Sequence, residues 1–282
     1  MNKEQNKINF VHLPEQGKLL EVQPLDYPNP YDFKKLHRHN YFEIILVNNG
    51  TGSQLIDFTN YPMAAGQIFI IYPGQVHLMN RDSTQGMVIQ FKKNVFEYIQ
   101  PLKHHNFYNK SSELQCDNEL FEHLFDLAKR VKKLLEHSYT VPSITHHKAF
   151  SYLQVILISL IELQQQKTGE NREPLALAQF ISLITENIKD IRKVAEYAEL
   201  MNCSPDKLNE VCKKGLGKTA LEIIHEELLL EIRRLLLLNE LSLKEIAYEL
   251  NFDTQGNFNA FVKAKTQMTP KELQKAVLEI YN

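Results

Sequence analysis

An internal repeat in residues 191–270 constrains this chain more than any other feature of its sequence. The segment 191–219 aligns with the segment 243–269 when one residue is added to the second copy. The aligned positions are Tyr197 with Ile246, Ala198 with Ala247, Asn202 with Asn251, Ser204 with Asp253, Leu208 with Phe258, Lys213 with Lys263, and 217–219 with 267–269. A repeat of this kind predicts that one supersecondary unit is built twice.

The first copy contains the signals of two helices joined by a tight turn. We expect Asp190 to cap a helix that ends near Met201, followed by Asn202 in the left-handed conformation that Asn tolerates. Ser204-Pro205 predicts the start of the second helix, because Ser is a preferred cap and Pro suits the first helical position. Gly215 is expected to end that helix.

The second copy contains the same signals. Ser242 and Glu245 have the spacing of a capping box, in which each side chain bonds to the backbone of the other residue. Asn251 again suits the left-handed turn, and Asp253 or Thr254 is expected to start the second helix. Both copies therefore predict a helix-turn-helix unit, whose second helix fits the major groove of DNA.

The segment 220–240 between the copies has no Gly or Pro and is rich in strong helix formers, so it predicts a continuous helix. At about 1.5 Å per residue this helix is roughly 30 Å long. Successive major-groove faces on one side of DNA are about 34 Å apart. A rigid helix of this length indicates a protein that places two helices in adjacent groove segments of double-stranded DNA.

Polar side chains on the second helix of each copy are the candidate DNA contacts. Asn and Gln form paired hydrogen bonds to adenine, and Lys binds guanine or phosphate. The candidates in the first copy are Asp206, Lys207, Asn209, Glu210, Lys213 and Lys214; those in the second copy are Thr254, Gln255, Asn257, Asn259 and Lys263.

The net charge of the chain gives little support to nucleic-acid binding. The whole chain has a formal charge of −2, and residues 174–282 contain 14 Lys and Arg against 16 Asp and Glu. A DNA-binding domain usually has a basic face. DNA binding therefore depends on local clusters such as Lys213-Lys214 and Lys263 with Lys265, and a protein whose DNA-binding domain has lost that activity remains an alternative.

The region from about Pro174 to Lys275 resembles the DNA-binding domain of the AraC/XylS family of bacterial transcription regulators. The resemblance is clearest in SLKEIAYELNF at 242–252 and in Met-Thr-Pro at 268–270. It implies a sequence-specific DNA-binding regulator that is not an enzyme. The sequence departs from the family pattern at Asn251 and Gln267, where Gly is usual, and at Glu210 and Ala260, where Arg is common.

Residues 30–100 have a different character, with short apolar runs separated by Gly, Asn and Asp. The runs cover 41–49, 53–59, 67–73 and 85–91. Each run has the length of a strand, and many short strands in succession predict a β-sandwich or a small β-barrel.

A cluster of histidines marks this β-region. His37, His39 and Glu43 precede Gly50, and His77 follows Pro73-Gly74, a spacing that resembles the two motifs of the cupin barrel. Odd-numbered positions share one face of a strand, so the first three side chains are expected to point into the barrel.

Two interpretations of this cluster stay open. Three imidazoles and a carboxylate suit iron, manganese, zinc or nickel. The alternative function is therefore a cupin metalloenzyme with an accessory helical domain. Its metal ligands would be His37, His39, Glu43 and His77. The favoured interpretation follows from the AraC/XylS resemblance, which implies a small-molecule effector bound in the cupin-like domain without a cofactor or metal. The residues expected to bind that effector are His37, His39, Glu43, Tyr72 and His77.

Two helices are predicted after the strands, at 119–137 and 143–166. The first has one apolar stripe, whereas the second is apolar on more than one face between Phe150 and Leu163. Sensor domains of the family that this chain resembles often dimerise through such helices, so a homodimer is expected.

The predicted fold class is α+β with two domains. A cupin-like sensor and dimerisation domain covers 1–166, with the barrel at about 20–100 and the helices at about 101–166. A polar linker covers 167–174, and an all-α domain with two helix-turn-helix units joined by a long helix covers 175–282. Three cysteines and the lack of a long apolar segment predict a cytoplasmic protein without a membrane segment.

Overall fold

The computed structural model describes residues 10–11, 18–28, 32–99, 102, 111–136, 142–168 and 175–280. The chain divides into two compact units, with the main division in sequence at residues 171 and 172. No helix among the described residues is long and apolar enough to cross a membrane.

The first unit contains all the strands of the described residues. They are β1 (Phe10–Val11), β2 (Leu20–Pro24), β3 (Arg38–His39), β4 (Phe42–Asn49), β5 (Gly52–Ile56), β6 (Thr59–Met63), β7 (Gln67–Ile71), β8 (His77–Asn80), β9 (Gln85–Phe91) and β10 (Glu113–Gln115). An antiparallel sheet has the order β10-β7-β4-β9-β2, a second antiparallel sheet has the order β6-β5-β8, and β1 pairs with β3. The predicted β-domain is confirmed.

The two larger sheets enclose one hydrophobic core. Ile45 and Val47 of β4 and Phe69 of β7 pack there with Ile56 of β5 and Met79 of β8. Side chains alternate along a strand, so Glu43 points to the same side as Ile45 and Val47. This alternation places the predicted carboxylate between the sheets.

Two helices follow the strands in this unit, α1 (Asn118–Glu136) and α2 (Pro142–Thr168). They pack on each other and contact β2, β9 and β10 of the five-stranded sheet. The two predicted helices are therefore confirmed. Because α2 continues to Thr168, it enters the first two positions of the predicted linker, and the rest of that linker, 169–174, lies outside the described residues. The predicted domain boundaries stay a prediction.

The second unit consists of helices in its described part. They are α3 (Leu175–Asn187), α4 (Val194–Leu200), α5 (Pro205–Leu216), α6 (Ala220–Leu238), α7 (Leu243–Glu249), α8 (Gln255–Thr266) and α9 (Pro270–Glu279). The central helix α6 contacts α3, α5, α7 and α9, and Ile224, Ile232 and Leu236 on it are fully buried. The predicted pair of helix-turn-helix units, α4–α5 and α7–α8, is confirmed with the long helix between them.

Candidate functional site

The turns of the two helix-turn-helix copies have the same backbone bonds. The Cys203 amide donates to the Ala198 carbonyl at 2.9 Å, and the Phe252 amide donates to the Ala247 carbonyl at 2.9 Å. Asn202 and Asn251 have φ values of 51° and 50°, which confirms the predicted left-handed turns.

The caps show where the second copy contains its additional residue. The Ser204 hydroxyl accepts from the Lys207 amide at the start of α5, and the Thr254 hydroxyl accepts from the Asn257 amide at the start of α8. Cys203 and Phe252 occupy equivalent positions in the two turns. The additional residue of the second copy is therefore Asp253, which lies between Phe252 and Thr254, the cap of α8.

Two predicted helix ends differ from the structure. Helix α4 begins after Lys193 rather than after Asp190, because Glu196 bonds to the Lys193 amide. Helix α5 continues through Gly215 and ends at Gly217, which has the left-handed φ of 69°. A glycine inside a helix is tolerated, whereas the left-handed cap position favours one.

The predicted contact residues of α5 lie on its solvent-exposed surface, with one exception. Asp206, Lys207, Glu210, Lys213 and Lys214 are exposed. The Lys207 ammonium donates to the Glu210 carboxylate at 2.9 Å, and this pairing lowers the pKa of Glu210. The exception is the half-buried Asn209, whose side-chain oxygen accepts from the Ala220 amide at 3.0 Å and so caps α6.

The corresponding surface of α8 is polar but has less charge. Gln255, Asn257, Asn259 and Lys263 are exposed, and Lys263 lies in the last turn. Thr254 is exposed as well, although its hydroxyl already accepts the capping bond. The structure thus places the predicted residues on two capped helices.

A contact that the sequence did not indicate joins the two copies directly. Lys189 donates to the Glu249 carboxylate at 2.6 Å, and the Asn251 amide nitrogen donates to Asp190 Oδ1 at 3.0 Å. The Arg192 guanidinium lies 4.0 Å from the centre of the Phe252 ring. The segment before α4 therefore packs against the turn of the second copy. These residues are about 60 positions apart, so no local pattern reveals the contact.

Between the sheets of the first unit, His39, Glu43 and His77 come together. One potential ligand atom from each residue lies within 4.8 Å of the other two, and all three residues are buried. The distance from His39 Nε2 to Glu43 Oε2 is 4.0 Å. His37 lies beside them, with its ring centre 4.2 Å from that of His77, and pairs with His77 through two backbone bonds.

Burial changes the ionisation of this cluster. It lowers the pKa of His39 to about 3 and the pKa of His77 well below its usual value, with like-charge repulsion from His37 as a further cause. Burial raises the pKa of Glu43 to about 7, although a hydrogen bond from Gln90 and the charge of Arg81 act to lower that pKa. The histidines are therefore neutral at physiological pH.

Tyr72 does not join the other predicted ligand-binding residues. Its hydroxyl accepts from the Gln164 side-chain amide of α2 at 2.9 Å, and its ring meets Phe42 edge-on. Ile71 points into the core, so alternation directs the next side chain to the opposite face of the sheet.

Two cavities in the first unit differ greatly in size. The cavity beside His37, Glu43 and His77 is about 10 Å³. A second cavity of about 770 Å³ lies between β2, the end of α1 and the start of α2. Its lining includes Tyr98, Phe150, Lys132 and the adjacent His146 and His147. The histidine pair was the one sequence signal here, and by itself it indicated only exposed polar residues.

Two capped helix-turn-helix units on one helical scaffold, in a chain with a separate β-domain, define a DNA-binding regulator with a sensor domain. Residues 197–276 match the model of a helix-turn-helix domain, and residues 22–131 match the model of an AraC-like ligand binding domain. The chain belongs to the AraC/XylS family of transcription regulators.

The chain is also similar to individual members of this family. The HTH-type transcriptional activator RhaS of Escherichia coli O81 (strain ED1a) is 20% identical over 246 residues, which cover 84% of this chain and 86% of the relative. RhaS of Yersinia pestis (strain Pestoides F) is 22% identical over 251 residues, with coverage of 84% and 88%. The structure of ToxT from Vibrio cholerae O395 is 14% identical with a TM-score of 0.40, and covers 92% of this chain and 97% of that chain. Similarity at that TM-score does not bear on function.

Proposed function

We propose that this regulator contacts double-stranded DNA through the exposed sides of α5 and α8. The observation that supports the proposal is that both helices are capped, anchored on α6 or its neighbours, and polar toward solvent. The contact residues come from the eleven predicted ones without Glu210, whose carboxylate is paired with Lys207. Asn209 and Thr254 each use one polar atom to hold the fold.

The two helices make different kinds of contact with DNA. The amides Gln255, Asn257 and Asn259 of α8 suit hydrogen bonds to base edges, above all to adenine. Lys213 and Lys214 of α5 suit phosphate oxygens, which fix position without specifying sequence. Lys263 adds a phosphate contact at the end of α8.

The test is binding of the full chain to an operator selected from random DNA. Replacing Lys213, Lys214 or Lys263 with Ala is expected to weaken binding to all sequences and to reduce the steepness of its salt dependence by about 0.9 per lysine. The matched control is Lys275→Ala, an exposed lysine in α9. Binding that does not change with salt would contradict phosphate contacts.

The larger cavity of the sensor domain supports a site for an organic effector. A volume of about 770 Å³ lies within the range of small-molecule sites, roughly 300–1,000 Å³. Its lining combines the rings of Tyr98 and Phe150 with charged groups such as Lys132 and Glu136. An effector of metabolite size with both apolar and polar groups fits this lining. The bound effector favours one arrangement of the sensor domain and the DNA-binding domain and thereby changes the affinity for DNA.

Effector binding is tested by thermal-shift screening of metabolites followed by DNA footprinting with each hit. We expect Tyr98→Ala to abolish the response to a hit while DNA binding without effector stays unchanged. Tyr248→Ala, an equally exposed tyrosine on α7, is the matched control. Identical footprints with and without every hit would count against effector control.

Of the predicted residues, His37, Glu43 and His77 line a cavity of about 10 Å³, which has room for one ion or one water rather than for an organic molecule. The same small volume disfavours the metalloenzyme alternative, because it does not hold an organic substrate. We propose that the chain regulates transcription without catalysing a reaction and acts in the cytoplasm, where bacterial DNA lies.

An apolar stripe on α2 supports the expected homodimer. Ile144, Val155 and Ile158 lie on one face of the helix and are 61%, 43% and 38% exposed. Pairing of this stripe with its copy buries it in a two-fold interface. Val155→Glu with Ile158→Glu is expected to give monomers in analytical ultracentrifugation, and an unchanged dimer would locate the interface elsewhere.

A further inference from the structure

We propose that His39, Glu43 and His77 bind one divalent first-row transition-metal ion between the two sheets of the sensor domain. The three residues come from β3, β4 and β8, so the ion connects strands of both antiparallel sheets. The proposal stands on the geometry of the cluster and is independent of the effector site and of DNA binding.

Hydrogen bonding fixes which ring nitrogen of His39 is available. His39 Nδ1 lies 2.8 Å from the Tyr41 carbonyl oxygen. A carbonyl only accepts hydrogen bonds, so Nδ1 carries the proton and Nε2 presents its lone pair. Nε2 is buried without a hydrogen-bond partner and lies 4.0 Å from the Glu43 carboxylate. This arrangement, in which a backbone carbonyl orients a histidine, is common around metal ligands.

The other two residues complete a set of acceptors. Both ring nitrogens of His77 are buried without a hydrogen-bond partner, and one of them is a lone-pair acceptor in the neutral ring. Glu43 is oriented by Gln90, whose side-chain amide donates to Oε2 at 2.7 Å. A cation compensates all of these groups at once, whereas a water molecule has only two hydrogens for the acceptors that converge here.

The space and the donor types select the ion. A cavity of about 10 Å³ lies beside Glu43 and His77 and leaves room for a single ion there. Donor atoms around a tetrahedral ion lie about 3.4 Å apart when each bond is about 2.1 Å long, so atoms now within 4.8 Å must close by up to about 1.4 Å. Imidazole nitrogens favour zinc, iron, cobalt, nickel or copper over magnesium and calcium, which prefer oxygen. The cavity is too small for an organic substrate, so the ion links the sheets structurally.

The experiment uses the full chain without an affinity tag, purified in the absence of chelators. We expect mass spectrometry of the metal content to give about one transition-metal ion per chain. After removal of the metal, titration with Co²⁺ is expected to saturate at one equivalent and to give visible absorption bands. Saturating Zn²⁺ is expected to raise the Tm by about 5–10 °C over the chelated protein.

Glu43→Gln is the principal variant, because it removes the negative charge and keeps an oxygen that accepts from Gln90. We expect its Co²⁺ affinity to fall at least about 100-fold, since even neighbours of metal ligands contribute 10- to 100-fold. His39→Asn with His77→Asn is expected to bind no metal. His123→Ala removes an exposed histidine of α1 outside the cluster and serves as the control.

Circular dichroism of each variant in chelator separates loss of metal from loss of fold. A wild-type chain that takes up neither Zn²⁺ nor Co²⁺ overturns the proposal. So does a Glu43→Gln variant that binds Co²⁺ as tightly as the wild type, or a loss of metal only in the His123→Ala control. An effector response that persists in metal-free protein leaves the proposed regulator function intact.

Discussion

The two helix-turn-helix copies have the same turn but present different surfaces to solvent. In the first copy the surface of α5 carries an internal ion pair, Lys207 with Glu210, which uses one cation within the protein. In the second copy the surface of α8 presents uncharged amides such as Gln255 and Asn259. The proposed mode of DNA binding uses this difference: α8 distinguishes bases and α5 holds the DNA backbone.

The copies also differ in how they are anchored. The turn of the second copy bonds to the segment before α4 through Glu249 and Asn251. The first copy is attached to α6 through Asn209, which accepts from the Ala220 amide, and through Lys218, which pairs with Glu226 at 2.8 Å. The polar attachments of the two copies are therefore made by different residues, at positions that are not equivalent in the repeat.

The largest expected effect comes from the aligned core residues Phe258 and Leu208, which are fully buried. Phe258→Ala is expected to lower the free energy of unfolding by about 3–5 kcal/mol and Leu208→Ala by about 2–5 kcal/mol, because each substitution leaves a cavity. Phe258 also packs edge-on against Phe252, so its loss should be the larger. Hydrogen exchange of the amides in α5 and α8 measures each copy separately. Leu216→Ala, at an exposed position, is the control, and an effect of Phe258→Ala as small as the control would contradict this packing.

The second prediction concerns DNA affinity and has opposite signs in the two copies. Asn259→Ala is expected to weaken operator binding by about 1–3 kcal/mol and to relax specificity at one base pair. Glu210→Ala is expected to strengthen binding to any sequence by about two- to tenfold, because it frees Lys207 and removes a negative charge near phosphates. Titration of the operator and of random DNA at two salt concentrations measures both effects.

The matched control for this pair is Glu279→Ala, an exposed carboxylate in α9 that bonds to Lys275. A similar gain in that variant would show that net charge alone explains the effect of Glu210. A loss of affinity in Glu210→Ala would instead assign this carboxylate a direct contact, as with the amino group of cytosine.

Sequence predicted the parts of the molecule whose bonds are local. The turns at Asn202 and Asn251, the caps Ser204 and Thr254, and the capping box at Ser242 each depend on residues within four positions, so their patterns are visible in the chain. The helix end at Gly215 was wrong because two candidate glycines lie close together, and only Gly217 reaches the left-handed conformation.

The parts that depend on tertiary structure were less accessible. Strand alternation predicted that His39 and Glu43 share a face, and the cupin-like spacing added His77. The small size of the cavity beside Glu43 and His77 depends instead on packing between the sheets. Tyr72 was grouped with them although alternation from Ile71 directs it to the other face. The contact of Lys189 with Glu249 joins residues 60 positions apart, and no local pattern carries that information.

The third prediction separates the turn from the attachment. Asn202→Ala and Asn251→Ala each remove the short polar side chain that lets Asn adopt the left-handed region, at a cost of up to roughly 1–2 kcal/mol. Asn251→Ala should cost about 1 kcal/mol more, because Asn251 also donates to the Lys189 carbonyl and to Asp190. Amide exchange in the two turns measures the difference. Asn251→Gly keeps the backbone conformation but removes these side-chain hydrogen bonds. An Asn251→Gly variant with the same free energy of unfolding as the wild type would show that these bonds contribute nothing.

The smallest expected effect is at the ends of α5 and α8, where the copies use different residues for one conformation. Gly217 has a φ of 69° and Gln267 a φ of 63°, and each amide donates to the lysine carbonyl four residues earlier. Gln267→Gly is therefore expected to stabilise α8 by up to about 1 kcal/mol, because glycine adopts this conformation without steric cost. Gly217→Ala is expected to destabilise α5 by a similar amount, since no atom lies within 4 Å of the added Cβ and the cost is conformational alone. Thermal unfolding and amide exchange of the two helix ends measure both changes. If Gln267→Gly destabilises α8, the glutamine side chain makes a contact whose contribution outweighs the conformational cost of its backbone. The two copies would then differ at this position because of that side-chain contact.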